Sequence, residues 1–207
     1  AYLACVLRWS VNWGRIGMHG ITAAFFSALS AYLLLRAVKN WDLAWFFWAG
    51  LSVGIGMWFY ASFRAFPVVV GAIFLVGMYI EFPGWKRIIL ASLTFLWASF
   101  LSSAPVIQFA VLDHETFFER SRELWLFTFH EGTEVWMVLR DSLIEHLLMF
   151  NISGDPNPRH NIPHEPMLDV VTGALFIIGI AMSFTHKNRF LLIFPIWILV
   201  MILPGVF

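Results

Sequence analysis

The sequence predicts an all-α protein, a polytopic membrane helix bundle of about six transmembrane helices with a long outer loop containing an interfacial helix. Composition, run length and the placement of cations all point there. Of 207 residues, 60% are hydrophobic and 13% charged, with a mean hydropathy of +0.77; soluble domains carry about 25% charged residues. A helix needs about 20 mostly apolar residues to cross the hydrocarbon. Such runs occur at 21–38, 43–60, 66–80, 88–112, 170–184 and 190–207.

The cations then orient the runs. Arg36, Lys39, Lys86, Arg87, Lys187 and Arg189 collect in the loops 36–42, 81–87 and 185–189, while the turn ASFRA holds only Arg64. Lys and Arg are enriched in cytoplasmic loops, so 1–20, 61–65 and 113–169 are expected outside, in a bacterial inner or plasma membrane. The chain divides accordingly into an outer segment with four spans (1–112), an extracytoplasmic loop (113–169) and two further spans (170–207). It opens and closes within apolar sequence and reads as an internal piece of a longer protein.

Net charge is +0, so no global field favours nucleic acid and electrostatic arguments are local. The lone Cys5 reads as a small apolar residue. Trp41, Trp45, Trp58 and Trp85 fall near span ends, as interfacial anchors do. Gly50 and Gly54 stand four apart, a spacing that lets two helix backbones approach closely in lipid. In EVWMVLRDSLIEHLLMF the residues Val135, Val138, Leu139, Leu143, Leu147 and Phe150 recur at helical spacing opposite Glu134, Asp141 and Glu145, which predicts the helix in the outer interface. The prolines of GDPNPRHNIPHEPMLD, residues 154–169, exclude helix and sheet interior and predict an ordered loop.

Candidate chemistry lies on the outer side. Arg64, between two spans with Tyr60 before it and Pro67 after, fits a lipid phosphate through charge-assisted hydrogen bonds, or snorkels among headgroups. Arg8, Arg15 and His19 line the same outer cleft or lie on the surface. DHETFFERSREL offers Asp113, His114, Glu115, Glu119, Arg120, Arg122 and Glu123 as acids and bases, or as ion pairs on a solvated face. His160 and His164, near Asp155, Glu165 and Asp169, suggest a divalent metal, but Pro163 and Pro166 deny them the helical geometry that would converge both rings; no cofactor is assigned. Signatures of nucleotide-binding, serine-hydrolase and zinc-protease sites are absent from the sequence.

Gly154, Asp155, Asn157, Arg159, His160, Asn161, Pro163, Pro166, Leu168 and Asp169 together resemble a signature of the C-type membrane glycosyltransferases (GT-C fold), the group of dolichyl-phosphate-mannose protein mannosyltransferases and aminoarabinose transferases, glycosyltransferase family 39. Tyr60, Arg64 and Pro67 after a glycine-rich helix, Glu115, Thr116, Phe117 and Arg120 in ETFFERS, and the stretch RIGMHGI resemble further elements of that family, with His114 where proline is usual. The resemblance implies the central part of a transferase that moves a sugar from a polyprenyl phosphate to an acceptor hydroxyl outside the membrane, with inversion. It implies a catalytic base on an earlier outer loop beyond this sequence, Arg64 and Tyr60 at the lipid phosphate, and an outer cleft shaped by Arg159, His160, Asn161, Asp155, Asp169, Arg120, Arg15 and His19. A different class, a noncatalytic membrane subunit in a protein complex, is the alternative; a transporter is a third.

Overall fold

A computed structural model of the chain describes residues 7–15, 20–123, 133–158 and 161–206. These are organised as helices α1 (Arg8–Arg15), α2 (Gly20–Asn40), α3 (Leu43–Gly56), α4 (Phe66–Ile80), α5 (Trp85–Leu112), α6 (His114–Glu123), α7 (Thr133–Leu148), α8 (Val170–Thr185) and α9 (Ile193–Val206), with 3-10 turns at Ala61–Ala65 and Arg189–Leu192 leading into α4 and α9. No strand occurs among the described residues. The protein is an all-helical bundle.

Six apolar helices coincide with the six expected runs. Four segments, Gly20–Asn40, Ala61–Ile80, Trp85–Leu112 and Arg189–Val206, are long and apolar enough to cross a membrane, as an integral membrane protein requires. The other two fall short: α3 has 14 residues and α8 has 16, rises of about 21 and 24 Å against a hydrocarbon core of ~30 Å. The expected span 43–60 stops at Gly56, where the Phe63 ring occupies the space a Cβ would take. Trp58 then donates its indole N–H to the Ser102 carbonyl at 2.9 Å, pinning the departing chain to α5.

Helices α2 to α5 and α9 form the core, in which Leu34, Phe46, Phe63, Phe66 and Ile73 are fully buried. Burial of oil gives little drive to helix association within lipid, so close packing and interhelical hydrogen bonds must supply it. The sequence meets this with small residues. Ser30 of α2 donates to Ser52 of α3 at 2.9 Å, both buried. Between α3 and α5, a Cβ on Gly50 would meet the Phe95 carbonyl and Ala98, and one on Gly54 would meet the Ser99 carbonyl and Ser102. The Ser102 hydroxyl donates to the Leu51 carbonyl at 3.2 Å across the same seam. The four-residue glycine spacing is therefore the close approach its sequence implied. Large apolar side chains point outward instead, as along α5 at Ile89, Leu93, Leu96, Trp97 and Phe100.

Two sequence expectations change. Trp41 is not an interfacial anchor: it is 2% exposed and has a left-handed φ of 49°, with its ring among Phe46 and Phe74. Only two residues separate α2 from α3, so the turn folds its side chain inward, where the indole N–H donates to the Glu81 carbonyl at 3.2 Å. The 134–150 helix forms as α7, but its apolar residues divide between two faces. Val135 is buried, and Ser142 of the same side donates to the Val206 carbonyl at 3.3 Å on α9. Leu143 and Leu147 are exposed with Trp136, Met137, Ile144 and Leu148. A single sequence period cannot distinguish a side packed on protein from one left open.

Replacing Gly54 with Val should lower stability by roughly 1–3 kcal/mol through overpacking, read as a fall in Tm in detergent. Gly71→Ala, where an added Cβ has nothing within 4 Å, should leave Tm unchanged or raise it.

Candidate functional site

The polar sequence 154–169 folds into a closed loop. The Met167 and Leu168 amides donate to the Met149 and Phe150 carbonyls, both at 3.0 Å, joining its two ends. Inside it Asn161, 6% exposed, donates its side-chain amide to the Glu165 carbonyl at 2.6 Å. Gly154 is buried against those same groups, leaving no room for a Cβ. Arg8 of α1 clamps the loop from outside. It pairs with the Glu165 carboxylate and donates to the Pro166 carbonyl at 3.0 Å and to Asn161 Oδ1 at 3.4 Å.

The two aspartates of this stretch organise backbone. Asp155 accepts from the Asn157 amide at 2.8 Å, an Asx turn. Asp169 caps α8, accepting from the Val171 and Thr172 amides at 3.0 Å and from the Thr172 hydroxyl at 2.6 Å. These bonds, led by the Thr172 hydroxyl, hold the Asp169 carboxyl below its ordinary range. Asp155 also faces a cavity of about 460 Å³ together with Glu145, His146 and His164. The His146 Nδ1 lies 2.8 Å from the Ser142 carbonyl. A carbonyl only accepts, so Nδ1 carries the proton and Nε2 of the neutral ring is an acceptor.

Arg64 occupies a different corner of the same end. Its guanidinium carbon lies 3.8 Å above the centre of the Phe117 ring and 6.0 Å from that of Phe118, and it donates to the Phe117 carbonyl at 3.5 Å. Among the described residues no carboxylate lies within ion-pair distance of it. The stacking joins the 61–65 turn to α6, two stretches that the sequence singled out separately. That both corners share one end follows from α9. Trp197 meets Phe66 with ring centres 5.8 Å apart, and the helix continues from that level past the Arg64 turn to Gly205 and Val206, against which His146 and Ser142 of α7 rest.

The remaining expected site residues are placed as follows. Tyr60 is 43% exposed in extended backbone, and no hydrogen bond joins its hydroxyl to Arg64; the intervening 3-10 turn does not put positions 60 and 64 on one α-helical face. Arg15 ends α1, exposed. His19, Arg159 and His160 lie outside the described residues, as does the side chain of Arg120. The cavity is lined by Asp155 but by neither Arg64 nor Tyr60. Among the described residues no group of three His, Cys, Asp or Glu side chains is arranged to hold a metal ion. Sequence reasoning passed over His146, whose signal was its position four residues after Ser142 in α7. No family model, characterised protein or solved structure matches the chain.

Removing the Asn161 side chain leaves the Glu165 carbonyl and Arg8 short of a partner, at a cost of roughly 1–3 kcal/mol. In Asn161→Ala the amide exchange of Met167 and Leu168 should accelerate about fivefold or more. The folded Asp169 value lies below the ~3.9 of an unfolded aspartate, so its contribution to stability is present above about pH 4 and is lost as pH falls through the folded value. Protection of the Val171 and Thr172 amides should fall with acidification in the wild type, and be lower but insensitive to acid in Asp169→Ala.

Proposed function

We propose that this chain is the central portion of a membrane glycosyltransferase that uses a polyprenyl-phosphate sugar donor and glycosylates an acceptor hydroxyl on the extracytoplasmic side. The observation that carries the reading is Arg64: a guanidinium laid on Phe117 at a helix end, with no carboxylate partner among the described residues. A cation held this way keeps N–H donors for an external anion and costs little ordering entropy when one arrives. The phosphate of a polyprenyl lipid stays at headgroup level because its charge cannot enter hydrocarbon. The signature residues in 154–169 and the ETFFERS element supply the family resemblance, and the latter is the element on which Arg64 stacks.

In this reaction the acceptor oxygen attacks the anomeric carbon from the face opposite the phosphate. The carbon–oxygen bond to phosphate breaks, its electron pair leaves with the polyprenyl phosphate, and a carboxylate base takes the acceptor proton. Arg64 stabilises the charge that accumulates on the departing phosphate. Asp155 and Asp169 are committed to an Asx turn and a helix cap; the family resemblance implies a base on another outer loop, and Asn161 and the closed loop form a wall of the outer cleft.

The test is polyprenyl-phosphate binding to the intact protein. Loss of a charge-assisted contact costs roughly 1.5–3 kcal/mol, so Arg64→Ala should weaken binding about tenfold or more, with Arg64→Lys falling between. Undiminished affinity in Arg64→Ala would eliminate the phosphate role and leave the snorkelling arginine. Co-purification in fixed stoichiometry with a larger assembly, without sugar transfer, would favour the noncatalytic subunit.

A further inference from the structure

The end of the bundle opposite Arg64 carries a second cavity, of about 870 Å³, between the α2–α3 turn and the start of α5. Its walls are fixed by cross-bracing. Trp41 donates to the Glu81 carbonyl at 3.2 Å and accepts from Arg87 Nε at its own carbonyl at 3.1 Å, tying the two turns together. Lys86 and Arg87 line the cavity beside Trp85, which is 70% exposed. Gly84, at a φ of 91°, starts α5 with no side-chain cap, so the first amides of that helix add donors to the two cations.

From the cavity an exposed apolar face runs along α5. Lys86, Leu90, Leu93 and Trp97 recur at helical spacing on one face of α5, and the last three are 43%, 58% and 60% exposed. Leu43 of α3 borders the cavity next to Leu90, and further along Phe47 meets Trp97 with ring centres 6.1 Å apart. Gly50 and Gly54 of α3 meet the other side of α5, at Phe95, Ala98, Ser99 and Ser102, so this face of α5 looks outward. From Lys86 to Trp97 it runs about 16 Å, one leaflet of a ~30 Å hydrocarbon core.

We propose that this cavity and the α5 face beside it seat one acidic glycerophospholipid, its phosphate on Lys86, Arg87 and the first amides of α5, and an acyl chain along Leu90, Leu93 and Trp97. Cations opposing an acidic headgroup between membrane helices are a recognised recognition mode. The cavity lining carries Lys86 and Arg87 against Asp42, and Asp42 is engaged in capping α3 through the Ala44 amide at 2.9 Å. That surplus selects an acidic over a zwitterionic lipid, and the length of the apolar face selects a lipid over free phosphate.

The experiment measures lipid retention by the intact protein in neutral detergent, by native mass spectrometry, with phosphatidylglycerol and phosphatidylcholine of equal chain length. Wild type should hold phosphatidylglycerol at least fivefold more tightly. Lys86→Gln, on an exposed side chain outside the core, should remove most of that preference, whereas Arg140→Gln, the same charge loss at the other end, should leave it intact. Leu93→Asn, also outside the core, should weaken phosphatidylglycerol at least threefold. Equal affinity for the two lipids, an equal fall in both charge variants, or no effect of Leu93→Asn would overturn the proposal. Displacement of phosphatidylglycerol by inorganic phosphate at the same concentration would likewise overturn it, because the anion alone would then account for binding.

Discussion

Everything in this bundle is hung on the seam where α3 meets α5. In lipid a helix gains little by hiding oil from oil, so two helices stay together only if their backbones approach closely enough for dispersion and hydroxyl–carbonyl contacts to accumulate. Gly50 and Gly54 create that approach, and Ser102 and Trp58 convert it into specific bonds with the Leu51 and Ser102 carbonyls. The position of α5 in turn sets the start of α6, and thereby the Phe117 ring on which Arg64 rests. At the opposite end the same pairing brings Trp41 and Arg87 together. One small-residue seam thus governs both cationic corners of the molecule.

The polar loop follows a different physical logic. A proline-rich stretch cannot satisfy its own backbone in helix or sheet, so its carbonyls must find side-chain donors. Asn161 and Arg8 supply them, at Glu165 and Pro166. The density of polar residues in 154–169 is therefore explained in large part by the loop's own construction. Gly154 and Asn161 hold it shut, Asp155 turns it, and Asp169 restarts the helix.

Helix positions were legible because apolar runs and their charged boundaries are local properties, and the six runs became six helices. Lengths were less so. α3 ends at Gly56, packed under the Phe63 ring, a contact that no local pattern announces. The burial of Trp41 escaped detection for the same reason, since it depends on Glu81 and Arg87 from another turn. At the candidate site, Arg64 and the 154–169 stretch stood out by residue type alone. The stacking of Arg64 on Phe117 and the clamp from Arg8 to residues 161–166 are tertiary pairings, separated by up to 158 residues, that only coordinates supply.

The shortness of α3 also bears on the surroundings of Arg64. A helix of 14 residues beside one of 28 cannot match a uniform slab, and hydrophobic mismatch is relieved by local thinning of the bilayer or by water reaching inward. Here the deficit lies at the Gly56 end, immediately beneath the Arg64 turn. A bilayer dimpled at that point lowers its aqueous boundary toward the guanidinium, and on the function proposed above a polyprenyl phosphate arriving laterally would meet the cation without lifting its tail out of the leaflet.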